Sequence, residues 1–234
     1  MHKAAHAGSF RVLPIKVFLD QNNRMETMRI RNESDEKVTI QIKTVKWDQD
    51  ERGVDVYEPT KDLIFFPRIF SIEGNEERMV KVGYQKQPSS AETTYRIFIE
   101  EIPETSAGAN QPALKMILKM SVPVFLASGK TPAKAGEIDK LELNGNSLSV
   151  SISNTGASYF FVKNIKVTGN KGNGESLPLP DKHGWYLLKG TSRKYLFDLP
   201  EGACNELKDL HVQIETDNEV FEKILNVQKS MCEI

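Results

Sequence analysis

Residues 113–126 read ALKMILKMSVPVFL. One face of this run collects Leu114, Met116, Leu118, Met120, Val122, Val124 and Leu126. Alternation of period two over such a length predicts a long β-strand. The opposite face carries Lys115, Ile117, Lys119, Ser121, Pro123 and Phe125. Proline has no N–H to give to a ladder, so Pro123 places at least this part of the strand at a sheet edge or a bulge. A long, sticky edge is ordinarily an aggregation hazard. One use for such a strand is to be added to another polypeptide, with alternate side chains filling that partner's pockets. Taken alone, the same features also fit a plain sandwich core with lysines guarding its edge.

Working outward, short β-patterned runs recur with turn chemistry between them. Strands are expected near residues 10–19, 25–31, 37–47, 64–72, 78–84, 94–102 and 113–126. Polar breaks separate them at 20–23, 32–36, 48–53, 73–75 and 86–90. About seven strands in roughly 115 residues is the count of an immunoglobulin-like sandwich. A small, basic, proline-bearing segment, ASGKTPAKAG, follows at Ala127–Gly136 and reads as a connection between domains. A second β series lies near 141–143, 148–152, 159–167, 185–188, 194–199, 210–215 and 220–227. The expected organisation is a leader over 1–9, an N-terminal immunoglobulin-like domain over 10–127, a linker over 128–136 and a C-terminal β-sandwich over 137–234.

The 234 residues are 39% hydrophobic and 27% charged, with a net charge of −1. That balance argues neither for disorder nor for a general attraction to nucleic acid. Aromatics do interleave with basic residues at 43–47 and 95–98, but core packing explains them better than base stacking does. No apolar run is long enough to span a membrane. The opening MHKAAHAG contains AHA, the small-x-small form that a signal peptidase cuts after, but the apolar region that should precede it is missing. Two expectations stand: a start internal to a longer signal peptide, or a short leader. Two cysteines, Cys204 and Cys232, fit either one disulfide or two free thiols.

Catalytic chemistry finds no support. His2, His6, His183 and His211 are scattered without metal-ligand spacing, so no metal and no cofactor is expected. Gly169, Gly172 and Gly174 resemble a phosphate loop only superficially, since no helix pattern follows them. Neither a nucleophile elbow nor a Walker pattern is present. Glu100 and Glu101, at a strand end before Pro103, read as solvated charge or an ion pair.

Four pieces in order carry a family resemblance: VKWDQD (Val45–Asp50), FFPRIFSIEGNEERMVKV (Phe65–Val82), TYRIFIEEIP (Thr94–Pro103) and LKMSVPVFL (Leu118–Leu126). Together they resemble the periplasmic pilus chaperones of chaperone-usher systems, the PapD-like superfamily, and its archaic branch in particular. The C-terminal half matches mainly in length and β character. The resemblance implies an all-β protein of two immunoglobulin-like domains in a boomerang arrangement. It implies a non-enzymatic periplasmic protein whose seventh strand completes unfinished pilin subunits, which are then delivered to an outer-membrane usher. Leu114, Met116, Leu118 and Met120 are the expected donor-strand residues. Arg96, Lys119 and Lys16 are the expected anchors for the subunit's terminal carboxylate, with Lys119 standing where many relatives carry arginine. Neither nucleic acid nor membrane insertion is expected, and an open strand gives the free protein a route to self-association. The competing classes are a structural or adhesive surface β-sandwich, such as a pilus subunit, and an enzyme on a sandwich scaffold. A pilus subunit should be a single domain short of its last strand.

Overall fold

The computed structural model describes residues 10–85, 91–103, 117–127 and 133–233. Two compact units divide the chain, Met1–Asp48 with Tyr57–Thr131 and Gln49–Val56 with Pro132–Ile234. Strand is the dominant element in both, because alternating apolar residues recur through the chain and helical spacing does not.

The N-terminal series comprises β1 (Phe10–Leu13), β2 (Val17–Leu19), β3 (Met25–Asn32), β4 (Val38–Gln49), β5 (Asp55–Pro59), β6 (Leu63–Phe66), β7 (Ile69–Ile72), β8 (Glu77–Tyr84), β9 (Thr93–Ile102) and β10 (Lys119–Leu126). One sheet runs β1-β3-β8-β6; the other runs β2-β10-β9-β4-β5, with β7 also on β4. Their inner faces meet over Val12, Met28, Ile30, Ile40, Val80, Val82, Tyr95, Ile97, Ile99, Val122, Val124 and Leu126, the layered core of a sandwich. Residues 10–19 and 64–72, each expected as one strand, are each two strands in different sheets. The breaks fall at Pro14 and Pro67, where the ring fixes φ and removes a donor, so the chain leaves one ladder and joins the other. Asn32 is fully buried at the end of β3, and its Nδ2 donates to the carbonyls of Glu36, Ile72 and Glu73 at 2.7, 3.2 and 3.2 Å.

The second series comprises β11 (Gly136–Asn144), β12 (Ser147–Asn154), β13 (Phe160–Lys171), β14 (Ser176–Pro178), β15 (Tyr186–Leu187), β16 (Ser192–Asp198), β17 (Leu207–Thr216) and β18 (Val220–Asn226). Its sheets run β11-β12-β16 and β14-β13-β17-β18, with β15 on β13. Leu148, Val150, Ile152, Phe160, Val162, Ile165, Leu210, Val212 and Ile214 lie at its core. Asn154 repeats the device of Asn32, its Nδ2 donating to the carbonyls of Ser158 and Leu187, both at 2.9 Å. Cys204 and Cys232 are joined, with Cα atoms 5.6 Å apart. This unit also holds the tip of the β4–β5 hairpin, where Gln49 donates to the Tyr186 carbonyl at 2.9 Å and accepts from Leu188 N–H at 3.1 Å. Gly53, at φ 71°, closes that tip in a conformation that favours glycine.

Candidate functional site

β10 changes character along its length. From Val122 to Leu126 every residue is buried, while Met120 and Leu118 on the inward row are half-buried against the core and Ile117, Lys119 and Ser121 on the outward row are exposed. Both faces therefore lose their cover towards the N-terminal end. Leu114 and Met116 lie outside the described residues, whereas Leu118 and Met120 continue the row that Val122, Val124 and Leu126 bury.

The edges of the strand differ as well. β9 pairs antiparallel with all of Lys119–Leu126, but on the other side β2 pairs in parallel only with Val124–Leu126. Glu101 N–H donates to the Leu118 carbonyl at 3.1 Å, so residues 118 and 101 form a hydrogen-bonded pair. Alternation along an antiparallel ladder then turns the N–H and C=O groups of Lys119 and Ser121, and the C=O of Pro123, away from β9. Among the described residues no strand covers that edge. Pro123 thus sits where the strand passes from one neighbour to two, and among the described residues of the strand the open edge covers Lys119–Pro123.

The ladder also arranges the three expected anchors. Pro123 is the partner of Arg96 on β9, and Val17, the partner of Val124, is directly preceded by Lys16. Arg96 thus lies directly across from Pro123, and Lys16 stands just ahead of β2, near the same end of the open edge. Lys119 is four residues away, about 13 Å along the strand, opposite Glu100. Arg96 is only 3% exposed. Its guanidinium lies 3.7 Å from the centroid of the buried Trp47 ring and donates to Ser121 Oγ at 3.4 Å. Trp47 packs on Phe125, which in turn stacks on Phe18. This apolar floor lowers the local dielectric around the guanidinium and strengthens its field.

Lys119 is engaged elsewhere. Its Nζ lies 2.7 Å from Glu100 Oε1 and 4.3 Å from the centroid of Phe98, and Lys43 Nζ lies 2.8 Å from Glu100 Oε2. Hydrogen bonds from Lys119 and then Lys43 hold the Glu100 carboxyl below its ordinary value of 4.5. A carboxylate with a depressed folded pKa contributes stability above the ordinary value and loses it as pH falls through the lowered one. In an NMR titration Glu100 is expected to titrate below 4.5, and replacing both lysines by glutamine should return it to the ordinary range. Glu101, expected beside it as surface charge, instead points to the core side and is 9% exposed, because alternate strand residues take opposite faces.

Among the described residues no group of His, Cys, Asp or Glu could hold a metal ion, and no helix is long and apolar enough to cross a membrane. What the site offers is main-chain donors and acceptors, a row of apolar side chains and a cationic row at one end. Those are the parts needed to hold an extended strand with a free carboxylate.

A family model described as pili and flagellar-assembly chaperone, PapD N-terminal domain, matches residues 9–129, just over half of the chain. Similar solved structures include the CsuC–CsuE chaperone–tip adhesion subunit pre-assembly complex, from the archaic chaperone-usher Csu pili of Acinetobacter baumannii. It is 16% identical with a TM-score of 0.61, covering 92% of this chain and 97% of that one. The E. coli chaperone DraB is 17% identical with a TM-score of 0.60, over 94% and 98%. The Salmonella enterica SafA pilin in complex with the SafB chaperone gives 14% and 0.60, over 95% and 99%. No curated protein sequence matches.

Proposed function

Since the chain belongs to the family of pili and flagellar-assembly chaperones, we propose that it works without catalysis in the periplasm, lending β10 to pilin subunits and passing them to an outer-membrane usher. The observation that carries this reading is the open edge over Lys119–Pro123, which ends at Lys16 and Arg96. A guest strand laid along that edge occupies the lane that β2 fills farther on. If it runs parallel to β10, its last residue arrives at Lys16 with its carboxylate near Arg96; if it runs antiparallel, that carboxylate is carried away from both cations. Parallel addition is therefore the orientation the charges favour.

In the complex, each main-chain hydrogen bond adds about 0.5–1.5 kcal/mol net. Leu118 and Met120 complete their burial in the guest, with Leu114 and Met116 continuing the same row. Methionine suits a strand that must fit several related grooves, being flexible and polarizable. A subunit-like role for this protein is the weaker reading, since β10 already closes the first sandwich beside β9.

The test is co-expression with secreted β-proteins encoded near the gene, followed by co-purification. One of them should be recovered in a stoichiometric complex. Lys16→Ala should lower recovery at least tenfold, and Lys119→Ala, whose charge already faces Glu100, less than threefold. Recovery of nothing by the unmodified chain would refute the chaperone reading, and equal losses in both variants would refute this division of the anchors.

A further inference from the structure

The sheet β1-β3-β8-β6 presents an outward face that the strand-lending site does not use. Its outward positions include Leu13, Met25, Ile64, Phe66 and Met79, all exposed, with Phe66 the most open at 76%. Register makes them neighbours. Met25 and Ile64 both lie opposite Gly83, Leu13 and Met79 both opposite Arg29, and Phe66 opposite Lys81. Alternate residues share a face, so Met79, Lys81 and Gly83 follow one another along β8 and gather the other four side chains around them. Exposed apolar residues scattered singly need no explanation, whereas a cluster marks an interaction surface.

Cations run through the cluster. Arg29 and Arg31 on β3 and Lys81 on β8 are exposed on this face, and Glu77 is the one acid among the outward positions of β3, β8 and β6. Arg31 also faces Arg11 directly across the ladder, a like-charge pair that disfavours the sheet on its own. Arg11 is engaged by Glu33 at 3.2 Å; among the described residues Arg29, Arg31 and Lys81 have no ion pair. We propose that this face adsorbs to an anionic phospholipid surface. Guanidinium groups grip phosphate with two parallel hydrogen bonds, and Phe66 and the two methionines enter the boundary between headgroups and acyl chains. Each cation held near such a surface adds attraction. Shape favours a membrane over a protein: side chains that project from a sheet need no matching pocket in lipid, while a protein partner must build one for Phe66. β10 lies in the other sheet of this unit, so adsorption leaves its edge open, and the inference stands independently of strand lending.

The experiment is co-sedimentation of the full chain with vesicles. Vesicles of equal parts phosphatidylglycerol and phosphatidylethanolamine should retain at least tenfold more protein than phosphatidylcholine vesicles, and about 0.5 M salt should release most of it by screening. Arg29→Ser with Lys81→Ser should cut retention at least fivefold, and so should Phe66→Ser with Met79→Ser. All four side chains are exposed, so both variants should keep the thermal melt of the unmodified chain and recover subunits as it does. Equal retention on the two vesicle types, or unchanged retention in either folded variant, overturns the proposal. A dimer in sedimentation velocity that Phe66→Ser with Met79→Ser dissociates also overturns it, by assigning the face to a second copy. Loss of subunit recovery in that variant assigns the face to a protein instead and overturns it as well. Failure of the unmodified chain to recover any subunit refutes strand lending alone, since retention on vesicles is read without a subunit.

Discussion

Replacing Met120 by glutamate should reduce pilin subunit recovery by about a thousandfold while the free protein still folds. Met120 lies on the inward row but is only half-buried against the core. In the free protein a glutamate there can turn its head to water, at a cost near the roughly 1 kcal/mol typical of point substitutions. In a strand-lending complex the guest covers that position. The variant then forfeits roughly 1.5–3 kcal/mol of apolar burial and adds the cost of burying an unpaired carboxylate, which is larger. A combined penalty of about 4 kcal/mol corresponds to roughly three powers of ten in affinity. Leu118→Glu should behave alike for the same reason. Co-purification yield set beside a thermal melt of the free variant checks this. Undiminished recovery from a folded Met120→Glu protein would remove β10 from the interface.

The second large effect concerns the second unit. Cys204 is 2% exposed and bridges to Cys232 across a sequence separation of 28, tying the end of the chain to the 3-10 turn at Ala203–Glu206. Closing a loop of that size restricts the unfolded chain and is worth about 3–4 kcal/mol. Cys204→Ser with Cys232→Ser should therefore lower the unit's melting temperature by on the order of 15–25 °C. Strong reductant acting on the unmodified protein should reproduce the shift, after a delay set by opening of the buried sulfur. Differential scanning calorimetry with and without reductant checks both. A shift below 3 °C would mean that the bridge contributes little, and that Met231 and its neighbours pack equally well without it.

Much of this architecture was legible in the sequence because strand alternation survives wherever one face is buried. Residues 25–31, 78–84 and 94–102 could be read almost to their ends, since Met28, Ile30, Val80, Val82, Ile97 and Ile99 mark one face without interruption. β5 gave no such signal: four of its five residues are exposed, so no pattern separates it from a loop. The turn chemistry of 48–53 marks the break correctly but is silent about which unit holds the tip. Two sheet changes, at Pro14 and Pro67, were hidden because alternation does not say which ladder a residue joins.

At the site, sequence reasoning could name Arg96, Lys119 and Lys16 but not their relative positions, which depend on register. Only the pairing of Pro123 with Arg96, and of Val124 with Val17, brings Lys16 and Arg96 to the same end of the open edge. The sequence does not single out Lys43, because its significance comes from Glu100 on β9 and Lys43 itself lies on β4, two strands from β10. A signal was available: with Phe98 as a marker of the outward face, Glu100 follows on that face and needs cationic neighbours. The pairing of the two cysteines was likewise open, since spacing alone does not distinguish a bridge from two thiols.

Pro123 also bears on what happens when the protein accumulates without cargo. If two copies laid this exposed margin against each other in opposite directions, centred on Ser121, Lys119 of each would meet Pro123 of the other. At both ends of that embrace an amide hydrogen is missing and an ammonium is pressed against its counterpart's backbone, and β2 stops the zipper from lengthening. Pairing of that kind, centred on Ser121, is thereby kept short and poorly matched.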